Sequence, residues 1–314
     1  MEIAIVGATG LVGEILIQEI EKYIPASVHI FSSTSIHSIR PFTELNLDVI
    51  LFATPPSVSL TWIPLLLQKT SAYIIDGSEA FRKDPQVPLI IPEINGHLLS
   101  QRHRLISSPN CTTTLALMAL YSLHASFKLT SFSLCSYQAA SGAGRNGLQE
   151  FEKQIKDWVL EGTTSFTPQN FPKTLLFNAI PQIGKFSENG NSSEEEKINL
   201  ESQKILNLPS LTTFATCVRI PALQCHSIAL SATFEKTVSL QEARTILKQT
   251  PGVVFYENTY PDVYNAQGNS LVHVGRLRKD PTRENALSMW IVGDQLRKGA
   301  ASNMRQILSQ LLTL

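Results

Sequence analysis

Short apolar runs separated by turns dominate the first third of the chain. Residues 2–6 form one such run, and Gly7-Ala8-Thr9-Gly10-Leu11-Val12-Gly13 follows at once. Val12, Ile15, Leu16, Glu19, Ile20 and Tyr23 then trace one face of a helix. Further runs at 28–31, 49–53, 73–75, 89–91 and 105–106 read as strands, with helical stretches between some of them. This repeated strand–helix rhythm predicts a parallel, doubly wound sheet over roughly the first hundred residues.

The pattern changes after Leu115-Ala116-Leu117-Met118-Ala119-Leu120, which reads as a helix. Residues 132–137 alternate like a half-exposed strand, and Ala140 to Gly147 is a glycine-rich turn leading into a helix over 148–159. Residues 162–172 and 188–193 read as loops, 194–206 as an amphipathic helix, and 213–221 and 227–235 as strands. Such alternation fits a sheet with one exposed face. Ser239-Leu240-Gln241-Glu242 predicts a capping box that opens another helix, and 294–314 reads as helical throughout.

With 314 residues the chain can hold two domains with real cores. Lys plus Arg and Asp plus Glu both number 26, so nothing points to a nucleic-acid or anionic-membrane surface. No apolar run reaches bilayer length, and the N-terminus lacks a basic leader segment. The cysteines at 111, 135, 217 and 225 form no CxxC pair and lie in or beside apolar segments. A reduced cytoplasmic protein is therefore expected, without a disulfide scaffold or a metal site.

Two segments carry candidate chemistry. Strand, glycine turn and helix in that order favour a phosphate-binding loop, in which backbone amides of Gly7, Ala8, Thr9, Gly10, Leu11 and Val12 approach a pyrophosphate. A tight turn without ligand is the alternative. At the end of the second strand, Ser32, Ser33, Thr34 and Ser35 stand where an NAD site usually places an acid. The hydroxyls favour NADP, and a plain polar loop is the alternative. The second segment is Ser107-Ser108-Pro109-Asn110-Cys111-Thr112-Thr113-Thr114, which places Cys111 at or just before a helix N-terminus. Unpaired amides and the helix dipole there favour a thiolate nucleophile. A buried structural cysteine is the alternative.

With these residues laid out, the chain resembles the aspartate-β-semialdehyde dehydrogenase family nearly end to end. The resemblance rests on the 7–13 glycine loop, Phe81-Arg82 with Val87 to Asn95, and Pro109-Asn110-Cys111-Thr112. Tyr137-Gln138-Ala139-Ala140-Ser141-Gly142-Ala143-Gly144, Ile180-Pro181-Gln182-Ile183-Gly184 and Glu194-Glu195-Glu196-Lys197 also fit. So do Val218-Arg219-Ile220-Pro221, His226-Ser227 and Leu296-Arg297-Lys298-Gly299-Ala300-Ala301. Their joint occurrence in the family's order makes the match specific.

The resemblance implies an α/β fold. A Rossmann-like NADP-binding domain would span 1–110 and be completed by 294–314. An α+β catalytic and dimerisation domain would span 111–293, giving a homodimer. It also implies NADP- and phosphate-dependent interconversion of aspartate 4-semialdehyde and aspartyl 4-phosphate. Cys111 would form the thioester, His226 would take and return a proton, and Gln138 would orient the intermediate. Arg219 would clamp the substrate α-carboxylate, for which a planar guanidinium suits, and Glu194 would meet the ammonium. Arg82, Asn110 and Lys197 match phosphate ligands, and Ser141, Gly142 and Gln295 fall at cofactor positions. Glu194 and Lys197, three apart on a helix, share a face, and a solvated surface pair is the common fate of that spacing.

Four places depart from the family pattern. Thr34 replaces an arginine, Ala53-Thr54-Pro55-Pro56-Ser57 a glycine-rich stretch, Asp76-Gly77-Ser78-Glu79 an Asp-Asn-Ser-Ser, and Asp294-Gln295 an Asp-Asn whose Asn meets the nicotinamide amide in relatives. All four are read as nucleotide-domain changes that alter cofactor affinity or preference and leave the chemistry intact. The rival readings are an N-acyl-glutamyl-phosphate reductase, a glyceraldehyde-phosphate dehydrogenase, a catalytically silent binding paralogue and a cysteine hydrolase. The first two lack their nucleophile motifs here, and a silent paralogue tends to lose the cysteine or the histidine. A hydrolase leaves the glycine loop without a purpose.

Overall fold

The computed structural model describes residues 1–32 and 38–314 and divides into two compact units. The first comprises Met1–Cys111, Lys204–Asn207 and Leu296–Leu314, and the second Thr112–Gln203 and Leu208–Gln295.

The first unit runs β1 (Glu2–Val6), α1 (Leu11–Tyr23), β2 (Ser27–Phe31), α2 (Arg40–Glu44), β3 (Val49–Phe52), α3 (Pro56–Lys69), β4 (Tyr73–Asp76), α4 (Pro92–Asn95) and β5 (Leu105–Ser107). The strands pair in parallel in the order β2-β1-β3-β4-β5. Successive residues of each strand feed opposite faces, which explains the continuous apolar runs. Ile3, Ile5, Val49 and Leu51 pack with Leu16 and Ile20 of α1 and with Met304, Ile307 and Leu308 near the C-terminus. Ala4, Val6, Ile50 and Phe52 pack with Phe42 of α2 and Ile63 and Leu66 of α3. The sheet is therefore covered on both faces, as expected of a doubly wound fold. Its strand order reverses between β1 and β3, and such a switch point opens a crevice at the strands' carboxyl ends.

The second unit contains all but the first residue of α5 (Cys111–Phe127), then β6 (Leu129–Gln138), α6 (Gly144–Glu161) and α7 (Ser193–Ile205), whose last two residues group with the first unit. There follow β7 (Thr212–Arg219), β8 (His226–Phe234), α8 (Leu240–Gln249), β9 (Val253–Tyr256), α9 (Val263–Ala266), β10 (Val272–Lys279) and β11 (Ala286–Gly293). Six strands form a mixed sheet in the order β7-β6-β8-β11-β10-β9. Burial along β6 alternates from Phe132 to Gln138. Helix α5 packs on the inner face so closely that a Cβ on Gly293 would stand 2.3 Å from Leu115 Cδ2. Among the described residues no helix is long and apolar enough to cross a membrane.

Three local expectations change. Residues 89–91 form no strand but a single bridge between Leu89 and Ser107. Pro88 and Pro92 flank them, and neither has an N–H to extend a ladder. The 294–314 segment is not helical from its start: a π-helical turn begins at Arg297, and α10 covers Ser302–Leu311. Asp294 precedes it outside any helix, and its carboxylate accepts from Gln224 Nε2 at 2.7 Å and Gly268 N at 2.9 Å. Finally, Ser239 caps α8 through Glu242 N at 3.4 Å, which is the serine half of the expected capping box.

Candidate active site

In the first unit the glycine loop lies at the β1/β3 switch point. Gly7 N and Ala8 N donate to Phe31 O at 2.8 and 3.1 Å, so the loop touches the end of β2. Gly7 has φ +85°, and a Cβ there would meet Ala53 O at 2.3 Å. A Cβ on Gly13 would meet Gly7 O at 2.2 Å, so both positions exclude a side chain. Thr9 is exposed, Gly10 is the N-cap of α1 and contributes no side-chain acceptor, and Leu11 and Val12 open the helix. First-turn amides have no intrahelical partner, so the loop suits a pyrophosphate. Ser32 follows β2 directly, whereas Ser33, Thr34 and Ser35 lie outside the described residues.

Arg82 is buried, and its guanidinium donates from Nε to Ser108 O at 2.9 Å and from Nη2 to Gly77 O at 2.8 Å. It thereby braces the segment that leads through buried Asn110 to Cys111, the half-buried first residue of α5. Asn303 of α10 supports the same segment, donating to Ser108 Oγ at 3.0 Å and Ile90 O at 2.9 Å. Behind it, Lys298 is completely buried, its Nζ 2.5 Å from Glu93 Oε2 and 3.1 Å from Asn303 Oδ1. At the β3 and β4 ends, Thr54, Ser59, buried Asp76 and Ser78 form one hydrogen-bonded chain, and burial raises the Asp76 carboxyl above its usual range. These contacts occupy two of the departures from the family pattern.

In the second unit, Gln138, Glu194, Arg219 and His226 are all buried and form one polar cluster. Gln138 and Ser136 point inward from alternate positions of β6. Gln138 Nε2 lies within hydrogen-bonding distance of Thr112 Oγ1 (2.9 Å), Ser136 Oγ (3.2 Å) and Glu194 Oε1 (3.2 Å). Glu194 Oε2 pairs with Lys197 Nζ at 3.1 Å, so this pair is largely desolvated and not a surface bridge. Arg219 ends β7, and its Nη1 donates to Ala139 O at 2.7 Å. His226 opens β8 with no exposed surface.

Gly142 shows how closely these groups converge. A Cβ there would stand 2.5 Å from Arg219 Nη1, 3.0 Å from His226 Cε1 and 3.1 Å from His226 Nε2. His226 Nδ1 accepts from Ala139 N at 3.2 Å, whereas Nε2 is buried with no hydrogen-bond partner among the described residues. A ring that accepts at Nδ1 carries its proton on Nε2. Burial first, and the Arg219 charge second, lower the His226 pKa to about 3, against opposing contributions from Glu194 and the Cys225 backbone. The imidazole is therefore neutral at physiological pH, and its Nε2 donor and Arg219 Nη1 both lie beside Gly142.

Ser141 and Gln295, expected at the cofactor, bind each other: Gln295 Nε2 donates to Ser141 Oγ at 2.6 Å. Gln295 Oε1 accepts from Cys225 N at 2.9 Å. Asp294 and Gln295 group with the second unit, not with the nucleotide-binding one. Thr112, Ser136 and the Ala139 amide carry contacts that sequence reading left unassigned. The i, i+2 spacing of Ser136 and Gln138 on one strand was the available signal.

Comparisons with known proteins match both parts of the chain to one family. The semialdehyde dehydrogenase NAD-binding domain family matches residues 35–102, and the semialdehyde dehydrogenase dimerisation domain family matches residues 120–298. The chain is 35% identical to aspartate-semialdehyde dehydrogenase of Aquifex aeolicus, over 99% of this chain and 97% of that protein. It is 34% identical to that of Campylobacter jejuni, over 100% of this chain and 98% of that protein. The chain belongs to the aspartate-semialdehyde dehydrogenase family. The crystal structure of aspartate semialdehyde dehydrogenase II from Vibrio cholerae, complexed with ASA, superposes with a TM-score of 0.91 at 30% identity, covering 99% of this chain and 98% of that one. The relatives are aspartate-semialdehyde dehydrogenases, and this chain is an enzyme of that kind. Its first unit holds the family's nucleotide-binding domain and its second the dimerisation domain.

Proposed function

We propose that this chain interconverts L-aspartate 4-semialdehyde and L-4-aspartyl phosphate, using NADP and inorganic phosphate, through a thioester on Cys111. The reaction would serve aspartate-family amino-acid biosynthesis, leading to lysine through diaminopimelate and to threonine and methionine, and the enzyme would work as a homodimer. The observation that carries the reading is the buried convergence of Arg219 Nη1 and the unpartnered His226 Nε2 on Gly142. A cation and a neutral donor aimed at one small space suit an oxoacid substrate whose carbonyl oxygen gains charge.

The glycine loop, the first-turn amides of α1 and the end of β2 would hold NADP. The chemistry that the dinucleotide supplies when bound is acceptance of a hydride. Cys111, favoured as thiolate at the start of α5, attacks the aldehyde carbon, and the C=O electron pair moves to oxygen. The His226 Nε2–H hydrogen-bonds to that oxygen and keeps its own proton. Once the carbon has lost hydride, the C=O re-forms and a thioester remains. A phosphate oxygen then attacks the acyl carbon, the C–S bond breaks, and its electron pair returns to sulfur. Arg219 binds the α-carboxylate and Glu194 the ammonium, while Gln138 fixes the Glu194 carboxylate and Thr112. Arg82, Asn110 and Lys197 supply donors to phosphate.

A steady-state assay with aspartate semialdehyde, NADP and phosphate tests this proposal, run beside an acyl-glutamate semialdehyde and beside NAD. Turnover should require aspartate semialdehyde and phosphate, and Cys111→Ala should abolish it while NADP binding persists. An active Cys111→Ala enzyme would exclude the thioester.

A further inference from the structure

Gln295 is buried, and its amide joins two backbone segments of the second unit. Its Oε1 accepts from Cys225 N at 2.9 Å, and its Nε2 donates to Ser141 Oγ at 2.6 Å. Each of these segments touches His226. Cys225 immediately precedes the histidine and holds the left-handed φ of +69°, a conformation that an L-residue keeps only when its surroundings impose it. Ser141 belongs to the turn whose Ala139 amide donates to His226 Nδ1 at 3.2 Å and whose Gly142 faces His226 Nε2. That turn is closed by Gly142 N donating to Ala139 O at 3.0 Å. One amide therefore spans the strained residue before the imidazole and the turn that selects its tautomer.

We propose that Gln295 is a positioning residue for the catalytic reaction: it fixes the orientation and tautomer of His226 by clasping Cys225 to Ser141. This rests on the reading of His226 given above. The role requires an acceptor for the Cys225 N–H and a hydrogen-bond partner for the Ser141 hydroxyl, which can accept or donate, so a single Gln meets both. Asp294 anchors the preceding position through Gln224 and Gly268, which leaves the Gln295 side chain little freedom to turn elsewhere. The charged groups acting on the imidazole are Arg219 from β7 and Glu194 from α7, while Asp294 acts on the neighbouring Cys225 thiol. None of them replaces the Gln295 contacts.

The test compares Gln295→Ala, Gln295→Asn and Gln295→Glu with His226→Asn. Steady-state kinetics are read together with 15N-histidine NMR. Gln295→Ala should lower kcat by on the order of 10- to 100-fold, as misplacement of a reacting group by about 1 Å does, with KM for NADP unchanged. The His226 nitrogen shifts should move toward a mixed tautomer. Gln295→Glu keeps an acceptor for the Cys225 amide and can accept from the Ser141 hydroxyl, so it should restore most of kcat. Gln295→Asn, one methylene shorter, should not, and this pair decides the matter if the alanine variant fails to fold. A raised KM for NADP with kcat preserved would make Gln295 a cofactor contact and overturn the proposal. Lost kcat with unmoved His226 shifts would overturn it as well. Wild-type kcat in His226→Asn would instead remove the reading of His226 beneath it.

Discussion

The Ala139 amide donates to His226 Nδ1 at 3.2 Å, and this contact dictates what the ring can do. The remaining nitrogen bears the proton and has no hydrogen-bond partner among the described residues. Burial and Arg219 keep the imidazole neutral, with a pKa lowered to about 3 from 6.5. Between those values the unfolded chain binds one proton more at this site than the folded one. The stabilisation is complete above pH 6.5 and is lost on acidification, by about 1.4 kcal/mol per pH unit, until pH approaches 3. Denaturant unfolding of the wild type and of His226→Asn from pH 7 to pH 4 isolates the effect. His124 and His273 are also lowered by burial, but they are common to both proteins and cancel. A difference in stability that does not vary with pH would refute the assignment.

Gly142→Ala should impair catalysis while preserving the fold. The added methyl would stand 2.5 Å from Arg219 Nη1 and 3.0 Å from the His226 ring, inside contact distance of both. Arg219 is held at Ala139 O and cannot retreat without losing that bond. We expect kcat/KM to fall by roughly 10- to 100-fold, with an unchanged circular dichroism spectrum. Wild-type kinetics would show that the space is not used.

Arg219→Lys tests the carboxylate clamp. Lysine keeps the charge but loses the planar fork, so bidentate binding is lost. KM for aspartate semialdehyde should rise by about tenfold or more, with KM for NADP unaffected. A change confined to NADP would place the arginine elsewhere in the reaction.

Lys298 should prove to be a stability residue. Its ammonium is completely buried among Glu93 (2.5 Å), Gln306 (2.8 Å) and Asn303 (3.1 Å). Truncation to Met leaves the Glu93 carboxylate unpaired and should cost about 3 kcal/mol in denaturant unfolding. Adding Glu93→Gln should recover part of the loss, because the stranded charge is then gone. A neutral Lys298→Met would refute this account.

The elements that periodicity reveals are those stabilised by near neighbours. The buried runs of β1 and β3, the α1 face and the alternation of β6 could be read directly, since burial on two faces, a stripe or one face leaves a local pattern. Strands β9, β10 and β11 also carry apolar residues, yet their burial does not alternate along their whole length, so no sustained period of two marks them in the sequence. Residues 89–91 looked like a strand for the converse reason: their apolar character reflects burial, and flanking prolines restrict the ladder to one bridge.

Sequence alone determined the two-part α/β plan, the glycine loop, and Cys111 at the head of a helix, because each is encoded within one or two turns of chain. Tertiary structure alone decided that Glu194–Lys197 is a desolvated pair, that Gly142 must be bare, and that Gln295 reaches Cys225 and Ser141. Those partners of Gln295 lie 70 and 154 residues away along the chain. A side-chain amide has the same donors and acceptors wherever it stands, so which groups it joins is settled only when distant segments are packed together and water is removed from between them.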